Sequence, residues 1–390
     1  MAAAKRTRKK NTKRIELAEI VAHFDALEDP RSSINLHHPL TSVVVIALLA
    51  VLAGADGPTA VRKWAESKRD LLLDLLDLPY GLPSKDVIRR VLMSLKPEAF
   101  QACFGNWIAA LRGDETGERP VLAVDGKTLR GSHDKRRGLG PLHLVSVWLT
   151  EVGLTLGQVA TEEKSNEITA IPELLRFVDV SGAIITIDAM GTQTAIAKQI
   201  HDAGGDYVLA VKGNQAGLQE RVIEYVDEHL QNDFADVAVR RHTEEDEGHG
   251  RRETRTYIQL SVPSKWKERD RWAGLRTIGV VVYESVVGEK ETFEVRYFIS
   301  SLRLGVKHFA RAVRRHWEIE NSCHWSLDVT YREDKQRTRQ RVIAENFAWL
   351  RRFTLSLLKQ HPGKESLVMK RRMCGWNDNF LLQVLGLEGI

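Results

Sequence analysis

Hydrophobic positions change their period along this chain, and the changes divide it. Residues 15–28 place Leu17, Ile20, Val21, Phe24 and Leu27 at helical spacing, and Asp29-Pro30 stops that helix. After the bend at His37-His38-Pro39 comes an apolar run, Val43–Ala55, too short for a membrane span of about 20 residues and read as a buried core helix. Further helices are expected from about Pro58 to Leu76, from Ser84 to Leu95 with Ser84 as N-cap, and after Pro97 with a stripe of Phe100, Phe104, Trp107, Ile108 and Leu111. Residues 15–115 therefore read as an all-α unit.

The period then shortens. Segments 121–125, 142–149 and 153–160 have the length and composition of strands joined by turns. Strands at 183–188 and 206–211 alternate with helices at about 167–177, 192–203 and 216–230. Three strands followed by β and α in alternation is the order of a ribonuclease-H-like α/β core with a mixed sheet. Residues 235–300 interrupt that order. They hold a charged stretch, Arg240–Arg255, and strand-like runs at 256–260, 275–284 and 293–300, and are read as a β-rich insertion. Helical character returns at Val306, with final helices near 344–359 and 379–387. The expected domains are a basic arm at 1–14, helices at 15–115, the α/β core at 119–340 and C-terminal helices at 341–390.

Composition narrows the function. The arm carries seven cations and no acid between residues 5 and 14, in a chain of net charge +5 and pI near 9.0. It reads as a solvated tail or a phosphate-binding arm. Cys103, Cys323 and Cys374 form no CxxC pair, which excludes a disulfide framework or zinc ribbon and suits a reducing cytoplasm. Neither a secretory leader nor a membrane partner is expected.

Two strands end on carboxylates, Val121–Asp125 and Ala183–Asp188, a way of aiming acids into a cleft. A third acid from a late helix would complete an oxygen-rich pocket for divalent cations and phosphoryl chemistry. In His308–Asp328, helical spacing puts Val313, Trp317, Glu320 and His316 toward one side, so Glu320 is the leading third acid and Asp328 the runner-up. Gly126-Lys127-Thr128 is not a nucleotide-binding P-loop, because Val121 stands where that motif needs glycine; no nucleotide cofactor is expected. His316 and His324 lie eight residues apart, too far for a helical zinc pair. Lys212-Gly213-Asn214-Gln215 opens a helix after a strand and suits a phosphate or splayed base.

These segments together resemble the DDE-class transposases of bacterial insertion sequences, in the H-repeat-associated group. The resemblance rests on Asp29-Pro30-Arg31, His38-Pro39-Leu40 and Trp64 near the N-terminus. In the core it rests on Ala123–Lys127, Ile187–Met190, Lys212–Gln215, His249-Gly250-Arg251 with Glu253 and Arg255, and His316–Asn321 with His324–Val329. It implies Asp125, Asp188 and Glu320 as the catalytic, metal-holding triad, two Mg²⁺ ions replaceable by Mn²⁺, and DNA cleavage and strand transfer at element ends. It also implies DNA as partner, a homodimer on that DNA, and a nucleoid-associated cytoplasmic location. Candidate DNA contacts are Lys127, Lys212, Asn214, Gln215, Arg251, His316, Arg337 and Arg339. The family's last helix carries a Tyr, Arg, Glu, Lys signature; here Val313, His316 and Leu327 stand at the Tyr, Arg and Lys positions. A DNA-binding relic without catalysis and a stand-alone nuclease are the alternative readings.

Overall fold

A computed structural model of the chain describes residues 22, 24, 27–31, 36–112, 118–161, 166–248 and 250–387. The basic arm, most of the first expected helix and His249 lie outside the described residues, as do the side chains of Trp107, Ile108 and Leu111. The chain divides into two compact units, one drawn from Met1–Leu111 and Gln340–Ile390, the other from Arg112–Arg339.

In the first unit the described elements are helices. They are α1 (Leu40–Leu52), α2 (Pro58–Ser67), α3 (Arg69–Leu75), α4 (Lys85–Ser94) and α5 (Pro97–Arg112). The expected single helix from Pro58 to Leu76 is broken at Lys68, whose backbone (φ −116°, ψ 27°) leaves the helical region. α1 is buried on nearly every side, as an all-apolar helix must be. Ser84 caps α4 by accepting from the Val87 N–H at 3.3 Å. Three C-terminal helices, Arg341–Gln360, Leu367–Trp376 and Asp378–Val384, belong to the same unit. The buried Asn346 amide donates to the Leu92 and Leu95 carbonyls at 2.9 and 3.1 Å.

A nine-stranded mixed sheet forms the second unit, in the order β3-β2-β1-β4-β5-β9-β8-β7-β6. β1 (Val121–Leu129), β2 (Leu142–Leu149) and β3 (Leu154–Thr161) are antiparallel. β4 (Ile184–Ile187) and β5 (Asp206–Val211) add parallel to β1. Four long antiparallel strands continue the sheet: β6 (Val239–Gly248), β7 (Arg251–Ser261), β8 (Thr277–Val287) and β9 (Lys290–Ser300).

The stretch Arg240–Arg255, read from sequence as a charged interruption, is in fact most of the β6–β7 hairpin. Its strands carry charge on both faces, so the usual apolar alternation is missing. Opposite charges meet across it instead, Glu244 beside Arg255 and Glu247 beside Arg252.

One sheet face is covered by a helix running Val306–Glu318. Val121, Ile184, Val208, Tyr257 and Phe298 from five strands pack there against Phe309, Ala312 and Val313. This packing fixes the angle at which the helix reaches Asp125 within β1 and the carboxyl end of β4.

Candidate active site

Register alone brings the two aspartates together. Val124 pairs with Ile187 in the parallel β1–β4 ladder, so the next residues, Asp125 and Asp188, stand side by side. They share a sheet face with Ala123 and Thr186. β4 stops at Ile187, while β1 runs on to Leu129 beside β2. Asp125 is therefore not at the end of its strand, as the sequence suggests, but where β1 loses its parallel neighbour.

The turn after Asp188 is tightly stitched. Asp188 Oδ1 accepts the backbone N–H groups of Met190 and Gly191 at 3.0 and 3.2 Å. Thr192 Oγ1 donates to the Ala210 carbonyl at 2.6 Å. A Cβ at Gly191 would run into the side chains of Ile187 and Ile171, so only glycine fits. Asn214 Nδ2 donates to the Ala189 carbonyl at 2.6 Å and Gln215 Nε2 to the Thr192 carbonyl at 3.0 Å. These amides, expected as DNA contacts, hold the loop that aims Asp188, with Asn214 exposed and Gln215 half-buried.

The covering helix supplies the third acid. His316 Nδ1 is hydrogen-bonded to Thr186 Oγ1 at 3.0 Å, which anchors the helix over β4. One turn further, Glu320 sits in a wider, π-helical turn, Ile319–His324. Such turns hold one more residue than an α turn and recur at functional sites. Asp125, Asp188 and Glu320 line one cavity of about 230 Å³, with His316, Lys212 and Arg296. Asp328, the runner-up, is ion-paired to Lys127 instead, and its place in the cavity wall is taken by Glu320.

Crowding of acids shows in their protonation. Burial pushes the Asp125 carboxyl up to about 7; the Gly126 N–H opposes this, while Asp188, Glu320 and Glu167 add to it. Burial also raises Glu320; Arg296 and Lys212 pull it down and Asp188 pushes it up. His324 Nδ1 lies 3.4 Å from Asp125 Oδ2. No three Asp, Glu, His or Cys side chains among the described residues already stand close enough to hold a metal ion.

Behind Asp125 lies a buried pair that sequence reading missed. His143 Nε2 meets Glu167 Oε1 at 2.6 Å, and its Nδ1 meets Thr128 Oγ1 at 2.8 Å. His143 sits opposite Thr128 in the β1–β2 ladder, and Glu167 opens the helix Glu167–Leu174. A Cβ at Gly126 would strike both the glutamate and the imidazole.

Two expected DNA contacts, Lys127 and His316, have partners within the protein. Lys127 is 8% exposed, and its ammonium donates to Asp328 at 2.8 and 2.9 Å and to Asp334 at 3.2 Å. It ties down the chain after the covering helix rather than meeting a phosphate. Burial lowers His316 to about 4, Asp188 opposing and Arg296 and Lys212 assisting, so it is neutral near pH 7 and supplies no cation. Lys212, Arg251, Arg337 and Arg339 are exposed. Arg251 lines a second cavity of about 300 Å³, whose wall shares Arg296, Val313 and Trp317 with the first.

Residues 116–358 match the family described as Transposase DDE domain, and residues 21–108 match the one described as DDE_Tnp_1-associated. The chain belongs to the DDE-class transposases. It is 37% identical to "H repeat-associated putative transposase YhhI" of Escherichia coli K12 over 383 residues, 96% of this chain and all of the relative. "Putative protein YbfL" of the same organism is 36% identical over the same extent. "Uncharacterized protein in dhlA 3'region" of Xanthobacter autotrophicus is 40% identical over 71% of this chain and 92% of its own length. For this transposase no helix among the described residues is long and apolar enough to cross a membrane.

Proposed function

We propose that this transposase cuts DNA and joins the freed end to a target, with Asp125, Asp188 and Glu320 as its catalytic carboxylates. The observation that carries the reading is that all three line one cavity although they are separated by 63 and 132 residues in sequence. The strand order β3-β2-β1-β4-β5, antiparallel and then parallel, supports a ribonuclease-H-like reading of the core.

Donor chemistry supports divalent cations here. The three acids are hard oxygen ligands, suited to Mg²⁺ with Mn²⁺ as substitute. A carboxyl held near 7 among other acids marks a place where positive charge is missing. Asp125 and Asp188 would hold the ions, with Glu320 completing the set. When bound, they would activate water and stabilise the leaving 3′ oxygen of a phosphodiester.

The chain itself contributes order. β1 and β4 fix the spacing of the two aspartates, and the stitched turn holds Asp188 in one rotamer. The His316–Thr186 bond fixes the helix that delivers Glu320.

The test uses a plasmid carrying the gene with its flanking DNA, incubated with protein and Mg²⁺ or Mn²⁺. Asp125→Ala, Asp188→Ala and Glu320→Ala are each expected to abolish strand cleavage and leave DNA binding in place. Metal-dependent nicking that survives Asp188→Ala would sink the assignment. A pre-cleaved end that is joined to a target plasmid separates a transposase from a nuclease that only cuts.

A further inference from the structure

The same register that pairs the aspartates sets two cations nearby. In the antiparallel β5–β9 ladder, Ala210 pairs with Phe298 and Val211 with Tyr297. One step further, Lys212 stands opposite Arg296. In the β4–β5 ladder Ile187 pairs with Leu209, so Asp188 is level with Ala210, and Lys212 lies two residues beyond on the same face. Strand spacing of about 4.8 Å and a rise of about 3.3 Å per residue put the Lys212 Cα about 8 Å from that of Asp188. Arg296 shares its face with Phe298, which packs beneath the covering helix.

Both cations are presented to the acid cavity. Arg296 Nε and Nη2 donate to the two Glu294 carboxylate oxygens at 2.7 and 2.6 Å, and its guanidinium lies over the Trp317 ring at 4.5 Å from the centroid. A guanidinium has five N–H donors, so three stay open in a fixed fork. Lys212 is exposed; its carbonyl accepts the Gln215 N–H at 2.9 Å, while its ammonium makes no hydrogen bond or ion pair among the described residues. From the covering helix, Val313, His316 and Trp317 line the cavity beside Glu320, with no Lys or Arg among them.

We infer that Arg296 and Lys212 form an anion site for the DNA-backbone phosphate next to the reacting one, supplying from the sheet the cationic side chains that the covering helix does not bring to this cavity. The site rests on the strand-cleavage reading for its role, but not for its ligand chemistry. Glu294 and Trp317 position the Arg296 fork, and Lys212 adds a mobile charge at the rim. A phosphate one or two nucleotides from the scissile bond falls within reach of both side chains.

The experiment pairs binding with cleavage. Affinity for a fluorescein-labelled DNA duplex is followed by anisotropy across a range of KCl concentrations, for the full chain and for Arg296→Gln, Lys212→Gln and Arg296→Lys. Each Gln variant is expected to flatten the slope of log affinity against log salt by about 0.9, one phosphate contact. Arg296→Lys keeps the charge and the slope. It loses the fork, so cleavage is expected to fall about 100-fold while affinity holds. Arg176→Gln, at an exposed position lining neither cavity, changes neither readout. Thermal melting checks that each variant is folded. Unchanged salt slopes in folded Arg296→Gln and Lys212→Gln would overturn the site, whether or not those two variants lose cleavage, as would undiminished cleavage by Arg296→Lys. Flattened slopes together with no metal-dependent cleavage by the natural sequence would leave the phosphate site standing and remove the strand-cleavage reading.

Discussion

Replacing Asp125 by Asn should make the metal-free protein more stable, because the site is built against its own fold. Asp125 is 18% exposed at its side chain, and burial with three neighbouring acids holds its carboxyl at about 7 against an ordinary 3.8. The native state therefore keeps a proton that the unfolded chain releases near pH 4. Its contribution to stability falls as pH rises from about 4 to 7 and stays lost above that. At about 1.4 kcal/mol per pH unit, the ionised group costs roughly 4 kcal/mol at pH 8. Asn has nearly the same shape and no charge. Asp125→Asn should gain roughly 4 kcal/mol at pH 8 in the presence of chelator, or about 10 °C in melting temperature, and almost nothing at pH 4. Denaturant unfolding at the two pH values measures both quantities. The reasoning is refuted if the variant is no more stable than the natural sequence at pH 8, or if the gain is the same at both pH values.

Other perturbations separate structural from functional roles. Lys127→Met should cost about 2–3 kcal/mol, since it strands Asp328 and Asp334, which are partly solvated, and should leave the salt slope of DNA binding unchanged. Gly126→Ala drives a methyl group into Glu167 and His143, so chemical denaturation should show a loss of at least about 2 kcal/mol and cleavage should fall with it. Asn346→Ala leaves the Leu92 and Leu95 carbonyls without their buried donor and should lower stability by about 1–3 kcal/mol with no change in catalytic metal response.

Much of the site was legible because its determinants are local. Apolar runs closing on Asp125 and Asp188 announce buried strands, and helical spacing picks out His316 and Glu320 on one side. What sequence could not show depends on pairing between distant strands. Arg296 lies in the alternating strand Lys290–Ser300 and differs in no visible way from its neighbours; only the β5–β9 register sets it opposite Lys212. Lys127 looked like a phosphate ligand because its acids, Asp328 and Asp334, are about 200 residues away. The His143–Glu167 pair was invisible for the same reason. The helix Leu367–Trp376 escaped because its apolar residues carry little helical period, and β6 because charge covers both of its faces.

The central claim is that Asp125, Asp188 and Glu320 act as one cation site. Mn²⁺ binding followed by electron paramagnetic resonance tests it most directly. The natural sequence should take up Mn²⁺, Mg²⁺ should compete for it, and Asp188→Asn should lose that uptake while remaining folded. Mn²⁺ uptake of equal affinity by Asp188→Asn, or none by the natural sequence with DNA bound, would contradict the account.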